Sequence, residues 1–254
     1  MNIALMREVN LNISKCEINN ITRKPIDPHE ARIQHENYAD TLRDLGYKIH
    51  MIEADDSLPD SSFIEDTALV LDEIAVITHP GAPSRRGETR AVADALSIYR
   101  ELEFISHSGT LDGGDVLRVG RTLYVGKSGR SSAVGISNLR DIVQPYGYDV
   151  VGVPVTGCLH LKSAVTLVAE NTLLLNPSWV DPGNFRDMER ITVNPSEPYS
   201  ANALLLEGGL VYSISYPGTR RILEKRGIEV VAIDLSELSK AEGNISCCCI
   251  PFTL

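Results

Sequence analysis

Asp115-Val116-Leu117-Arg118-Val119-Gly120-Arg121-Thr122-Leu123-Tyr124-Val125-Gly126 is two short apolar runs folded about a Gly-polar pair. Runs rich in β-branched and aromatic residues on either side of such a pair read as a tight β-hairpin. The pattern recurs at Thr67 to Thr78 around Asp72-Glu73, at Ser163 to Pro177 around Glu170-Asn171, and at Asn202 to Ser215 around Gly208-Gly209. The turns at 72, 120, 170 and 208 stand 48, 50 and 38 residues apart. A near-constant period of that size signals a repeat architecture.

Helix signals lie between the hairpins. Pro28 to Leu45 has Asp27 as its N-cap, Pro28 in the first turn, and a stripe of Ala31, Tyr38, Leu42 and Leu45 on one face. Glu88 to Arg100 repeats the idea with Val92, Ala95, Leu96 and Tyr99. Gly46, Gly147 and Gly227 each stop a helix and lead into a short strand, because glycine takes the left-handed conformation that ends a helix without strain. A further helix is expected near Gly218 to Arg226, then strands at Val230 to Leu235 and Ser246 to Leu254. The last of these has no hairpin partner, and neither has Ile3 to Glu8 at the other terminus. If the two pair, five hairpin–helix–strand units close into a ring with no open edge. The competing architecture is an open three-layer α/β sheet.

Length and composition fit one domain spanning residues 1–254, with no linker or low-complexity segment. A net charge of −10 argues against a nucleic-acid partner and suits a cationic small molecule. No apolar run reaches the ~20 residues of a membrane span, and the N-terminus lacks the pattern of a signal peptide. Five cysteines, three of them adjacent, read as reduced thiols of a cytoplasmic protein.

Closing the ring gathers polar residues that are far apart in the chain. Glu65-Asp66 precede the first hairpin, Asp112 the second and His160 the third, while Asn202 opens the fourth and Cys247 the closing strand. Equivalent positions of a cyclic repeat face one axis, where a central pocket is expected. A thiol, an imidazole and a carboxylate are the parts of an activated cysteine nucleophile. If Ser246 onward is a strand, Cys247 and Cys249 share one face and Cys248 the other. The glycines of Asp112-Gly113-Gly114 are not a nucleotide loop, since no Gly-Lys-Ser/Thr pattern follows. The cysteine triplet lacks the second Cys/His pair of a zinc finger. Residues 12–26, with little apolar periodicity, would suit a lid over the pocket mouth.

Phe63-Ile64-Glu65-Asp66-Thr67, Pro80 to Arg86, Leu111-Asp112-Gly113-Gly114-Asp115-Val116, Leu159-His160-Leu161-Lys162-Ser163 and Ser246-Cys247-Cys248 resemble the motifs of dimethylarginine dimethylaminohydrolases, in that family's order. The third consecutive cysteine and Ala203, where the family often carries cysteine, depart from the pattern. The resemblance implies a five-fold pseudosymmetric α/β propeller, or pentein, of repeated ββαβ units. It also implies hydrolysis of Nω-methylated arginine to citrulline plus a methylamine, without cofactor or metal.

By the same resemblance Cys247 attacks the guanidinium carbon, His160 is the general acid/base and Asp112 orients it. Asp66 binds the guanidinium, with Glu65 and Asp60 nearby to position the substrate. Arg130 binds the α-carboxylate, and Arg85 contacts it or orders its loop. The partner implied is a small guanidine molecule, with no nucleic acid or membrane, and a homodimer is compatible with the sequence. Arginine deiminases, dihydrolases and amidinotransferases share this chemistry, but are usually longer, and no spare segment is evident here. The readings from other classes are a non-catalytic propeller that binds a partner and a thiol or metal sensor built on the cysteine cluster.

Overall fold

The computed structural model describes residues 1–254, and in it every expected hairpin is present. The chain opens with β1 (Asn2–Arg7), α1 (Pro28–Asp44) and β2 (Lys48–Ile52). Next come β3 (Ala68–Val70), β4 (Ile74–Ile77), α2 (Thr89–Leu96) and β5 (Glu101–Phe104). The next unit is β6 (Val116–Val119), β7 (Thr122–Lys127), α3 (Ala133–Val143) and β8 (Asp149–Pro154). A single turn, α4 (Leu161–Ala164), leads into β9 (Val165–Ala169), β10 (Thr172–Leu175) and β11 (Glu189–Thr192). The remainder is β12 (Leu204–Leu206), β13 (Gly209–Ser213), α5 (Pro217–Lys225), β14 (Val230–Ile233), a short α6 (Ser236–Ser239) and β15 (Ile250–Thr253).

These strands form five sheets of three. In four of them an antiparallel hairpin is followed by a parallel third strand, as in β6-β7-β8. The fifth is made by the two ends of the chain: β15 runs antiparallel to β1, and β1 parallel to β2. The ring is therefore a five-fold α/β propeller, closed by its own termini, and the open three-layer sheet is excluded. The short spacing between the third and fourth hairpins has a structural cause. Between β10 and β11 the helix is replaced by one 3-10 turn, Pro182–Phe185, capped by Asp181.

Local chemistry explains the element ends. Asp27 accepts hydrogen bonds from the backbone N–H groups of His29 and Glu30, satisfying donors that α1 leaves free. Below that cap α1 buries Ala31, Tyr38, Ala39 and Leu42. Gly46, Gly147 and Gly227 all have positive φ, as their helix-stopping role requires. The second helix is shorter than its apolar stripe implied, because Pro83–Glu88 is wound as a 3-10 segment before α2.

One regularity escaped the sequence reading. A single helical turn precedes the innermost strand in four units: Ile64–Thr67 before β3, Gly113–Asp115 before β6, α4 before β9 and Ser246–Cys248 before β15. The closing strand thus begins at Ile250, not at Ser246. These turns point toward the axis, and they carry the polar residues.

Candidate active site

The four turns place Asp66, Asp112, His160 and Cys247 around one small cleft at one end of the axis. Asp60, Asp66, Arg85, Arg130, His160 and Cys247 line a cavity of about 20 Å³, roofed by Glu17 and Glu242. His160 directly precedes α4, and its Nε2 lies 3.0 Å from Asp112 Oδ2. Its Nδ1 is 3.8 Å from Asp66 Oδ1. His160, Asp112 and Asp66 are all buried.

Burial alone would disfavour the imidazolium. The carboxylates of Asp66, Asp112 and Asp115 outweigh it and raise the His160 pKa to about 9. Asp66 moves the opposite way: burial opposes its charge, but His160, Arg85 and the Gly114 N–H hold its pKa below the ordinary carboxylate value. Burial pushes the Cys247 thiol well up, and the Glu65 and Asp66 charges push it further. These neighbours favour a neutral thiol at Cys247 and an imidazolium at His160 near neutral pH.

Each residue of Asp112-Gly113-Gly114-Asp115 has a spatial reason. A Cβ on Gly113 would lie 2.0 Å from the Glu65 carbonyl oxygen. On Gly114 it would lie 2.8 Å from His160 Nδ1 and 2.6 Å from Asp66 Oδ1. Only glycine leaves room for the imidazole and the carboxylate, and the Gly114 N–H donates to Asp66 Oδ1 at 2.9 Å.

The cysteine triplet is sorted by the turn rather than by strand alternation, so the shared-face expectation is corrected. In the 3-10 turn Ser246–Cys248 only Cys247 reaches the cleft. Cys248 and Cys249 are both buried, with Cys249 Sγ 3.2 Å from the Tyr38 hydroxyl.

One further expectation changes. Glu65 does not face the cleft. Its carboxylate is held by Lys162 Nζ at 2.5 Å and by the Ser246 hydroxyl at 2.9 Å, and it lines a separate cavity inside the ring of inner strands. On a tight turn, adjacent residues 65 and 66 point to opposite ends of the axis. Arg85 does line the cleft, and its bonds are those of the loop-ordering role expected of it. Its buried guanidinium pairs with Asp66, bonds to Glu88 through Nη2 at 2.8 Å and donates to the Phe63 carbonyl at 2.9 Å. It builds the wall behind Asp66.

Arg130 stays at the cleft, with Nη1 3.5 Å from Asp112 Oδ2 and Nη2 3.6 Å from Glu17 Oε2. Its Nη1 is buried without a hydrogen-bond partner. Asp60 lines the cleft and accepts the Glu17 backbone N–H at 3.1 Å.

Residues 12–26 reach the cleft through Glu17, and are anchored by buried Ile13, Cys16 and Ile26. Glu242, itself at positive φ, accepts the N–H groups of Asn19 and Asn20 at 2.8 and 2.6 Å. The sequence reading missed Glu17 and Glu242, since neither belongs to an element with a period. Donor atoms of Asp66, Asp112 and His160 lie within 4.8 Å of one another. Two guanidinium groups, Arg85 and Arg130, already meet that carboxylate pair, which disfavours a dication there.

Five three-stranded sheets around a polar axis, with a thiol and a carboxylate-held imidazole converging at one end, define the chain as a pentein-type propeller. Comparison with known proteins narrows the class. The family profile described as N,N dimethylarginine dimethylhydrolase, eukaryotic, matches residues 11–194. The chain is 37% identical to an N(G),N(G)-dimethylarginine dimethylaminohydrolase of Streptomyces coelicolor, over 96% of this chain and 94% of that one. Its structure is similar to that of the dimethylarginine dimethylaminohydrolase of Pseudomonas aeruginosa, a cysteine-to-serine variant complexed with citrulline. That likeness has a TM-score of 0.91 at 28% identity and covers 98% of each chain. The chain belongs to the dimethylarginine dimethylaminohydrolase family.

A cyanobacterial arginine dihydrolase N-terminal domain shares the fold, with a TM-score of 0.88 at 19% identity over 99% of this chain and 97% of that domain. Coverage of 99% and 97% makes that domain nearly the same length as this chain, so length alone does not separate the two.

Proposed function

We propose that this chain hydrolyses Nω-methylated arginine to citrulline and methylamine or dimethylamine, through a covalent adduct on Cys247. The observation that carries the reading is the convergence of Cys247, His160 and Asp112 from three separate repeat units on one cleft walled by Asp66 and Arg130. Family membership supports the substrate class.

The substrate guanidinium docks against Asp66, whose carboxylate favours the cation. That added positive charge beside Cys247 lowers the thiol pKa, so the thiol gives its proton to solvent and the nucleophile is formed chiefly when substrate is present. The thiolate attacks the guanidinium carbon. His160, cationic at neutral pH, gives its proton to the departing methylamine and leaves an S-alkylthiouronium on Cys247. Neutral His160 then takes a proton from water, the hydroxide adds to the same carbon, and the C–S bond breaks to release citrulline. Asp112 holds the imidazole in place through both steps. Arg130, with a free buried N–H, receives the α-carboxylate, and Asp60 sits on the same side of the cleft.

Residues 1–254 act as one propeller domain, in keeping with a sheet made from both termini. Five free cysteines suit a reducing cytoplasm. No helix is long and apolar enough to cross a membrane.

The test is citrulline release from arginine, its mono- and dimethyl forms, and agmatine, measured side by side. Methylated arginine should be preferred, and Arg130→Ala should penalise substrates with an α-carboxylate far more than agmatine. Preference for unmethylated arginine would overturn the substrate while leaving the Cys247 chemistry in place.

A further inference from the structure

Asp115, the second carboxylate of Asp112-Gly113-Gly114-Asp115, does not line the cleft, yet three of its supports meet at this side chain. Asp115 is completely buried. Its Oδ1 accepts the backbone N–H of Leu161 at 2.9 Å, which fixes the turn immediately after His160. Its Oδ2 accepts the hydroxyls of Ser128 and Ser131 at 2.5 and 2.6 Å.

Both serines pass the order on. The Ser128 hydroxyl accepts the N–H of Arg130 at 3.0 Å, and the Ser131 hydroxyl accepts the N–H of Asp112 at 3.2 Å. One carboxylate therefore ties down the segments that carry the acid/base, its orienting partner and the carboxylate-binding arginine. The surroundings are shaped for it: a Cβ on Gly126 would lie 2.5 Å from Asp115 Oδ1. A buried charge is costly unless hydrogen bonds replace its water. A neutral side chain would serve packing at less cost, so the charge itself calls for a reason.

We propose that Asp115 is a positioning residue for the reaction assigned above: it fixes the His160 turn, Asp112 and Arg130 in one frame, and its charge stabilises the imidazolium through which the proton is delivered. The charged and titratable groups around His160 are Asp66 from the first turn, Asp112 and Asp115 from the second, Arg130 from the loop after β7, Cys158 just before His160 on its own segment, Glu242 on the cleft wall, and Cys247 from the closing turn. Glu17 and Asp60 stand at the rim, and Arg85 lies behind Asp66. Asp115 is the one carboxylate of this set that touches neither the imidazole nor the cleft, so its charge can be removed without changing what the substrate meets.

The test is Asp115→Asn, which keeps the shape, and Ser131→Ala, which removes one relay and keeps the charge. Two measurements are made on each folded protein: the pH profile of kcat with Nω-methylarginine, and the NMR titration of the His160 ring without substrate. Asp115→Asn should lower kcat about 10- to 100-fold, less than the ~10²–10⁴-fold of losing general-acid catalysis outright. It should also move the alkaline limb and the imidazole titration down by about one pH unit. Ser131→Ala should lower kcat less and leave the titration where it is. An imidazole titration unmoved in Asp115→Asn, or a kcat per folded molecule within twofold of the parent, overturns the proposal. Because the NMR arm needs no turnover, it stands even if the substrate assignment fails.

Discussion

The two ends of the propeller axis are built from the same five units and could hardly differ more. At one end the turns before the inner strands close on a cleft of about 20 Å³ walled by carboxylates, guanidinium groups, an imidazole and a thiol. Inside the ring, toward the other end, the inner strands enclose about 390 Å³ lined by Leu69, Leu117, Leu167, Leu205 and Ile250. Between them lies a polar partition: Glu65 from the first unit, Lys162 from the third, Asn202 from the fourth and Ser246 from the fifth. The Asn202 amide holds the Lys162 carbonyl at 3.0 Å and the Ser246 hydroxyl at 2.8 Å. Neighbours in sequence thus fall on opposite sides, Asp66 against Glu65 and Cys247 against Ser246. Chemistry here depends on which side of the partition a residue faces, more than on its motif.

The sharpest way to test that division is the cysteine triplet. Cys247→Ser should abolish turnover with the fold intact, because only this thiol reaches the cleft. Cys249→Ser should keep most of the activity, since its sulfur is spent on Tyr38 in the core. An active Cys247→Ser and a dead Cys249→Ser would reverse the assignment, and one assay of citrulline release decides it.

Next in size is the partition itself. Lys162→Met leaves Glu65 buried without its cation, and breaking a pair of this kind costs about 3–5 kcal/mol. Burial already raises the Glu65 pKa, with Lys162 the main force opposing it. In the variant Glu65 should take up a proton, so the loss should shrink toward acid pH. Adding Glu65→Gln should recover much of the stability in urea melts. A Lys162→Met protein as stable as the parent would mean that the partition is not needed.

A third effect follows from His160, whose folded pKa lies above its ordinary value. Its contribution to stability is fully present below about pH 6.5 and is lost as pH rises through about 9. The stability advantage of the parent over His160→Gln should therefore fade across that window by on the order of 2–3 kcal/mol. An advantage constant from pH 6 to 9 would place the imidazolium elsewhere.

At the rim the expected effects become small. The Glu17 carboxylate lies near Arg130, where the substrate carboxylate is proposed to bind. Glu17→Gln removes a half-exposed competitor worth about 0.2–1 kcal/mol. KM for methylarginine should fall by a few-fold at most, with agmatine unaffected. A KM that rises would make Glu17 a substrate ligand instead.

How much of this was legible beforehand follows from periodicity. The hairpins and helices rest on short periods, the capped start of α1 and the glycine stops on single residues, and the closure of the ring on the recurrence of the unit, and all are present. The single turns before the inner strands have no room for a period, and on them the reading went astray. Sequence alone puts Glu65 with Asp66, and it puts Cys247 and Cys249 on one face through a strand alternation that begins only at Ile250. Cys247 is in the cleft nonetheless, for a reason of turn geometry. Asp115 carried a usable signal, a second carboxylate beside an apolar run with two serines following the hairpin. Glu17 and Glu242 carried none, because a covering loop is specified by its contacts and not by its own sequence pattern.

The smallest effect belongs to the wide end of the axis. Arg118 lines the larger cavity and pairs with Asp72 at 2.8 Å, on side chains that are 33% and 56% exposed. Its guanidinium also lies 5.4 Å from the centre of the Tyr148 ring, but Arg121 is closer to the same ring at 4.5 Å. Water screens a pair so exposed, and a neighbouring arginine shares its partners. Arg118→Ala should therefore cost less than about 1 kcal/mol in a urea melt. Its kcat and KM should match the parent, because the partition stands between this side chain and the cleft. A tenfold fall in kcat with unchanged stability would show that the two ends of the axis communicate through the Glu65–Lys162 pair, and the division drawn between them would have to be abandoned.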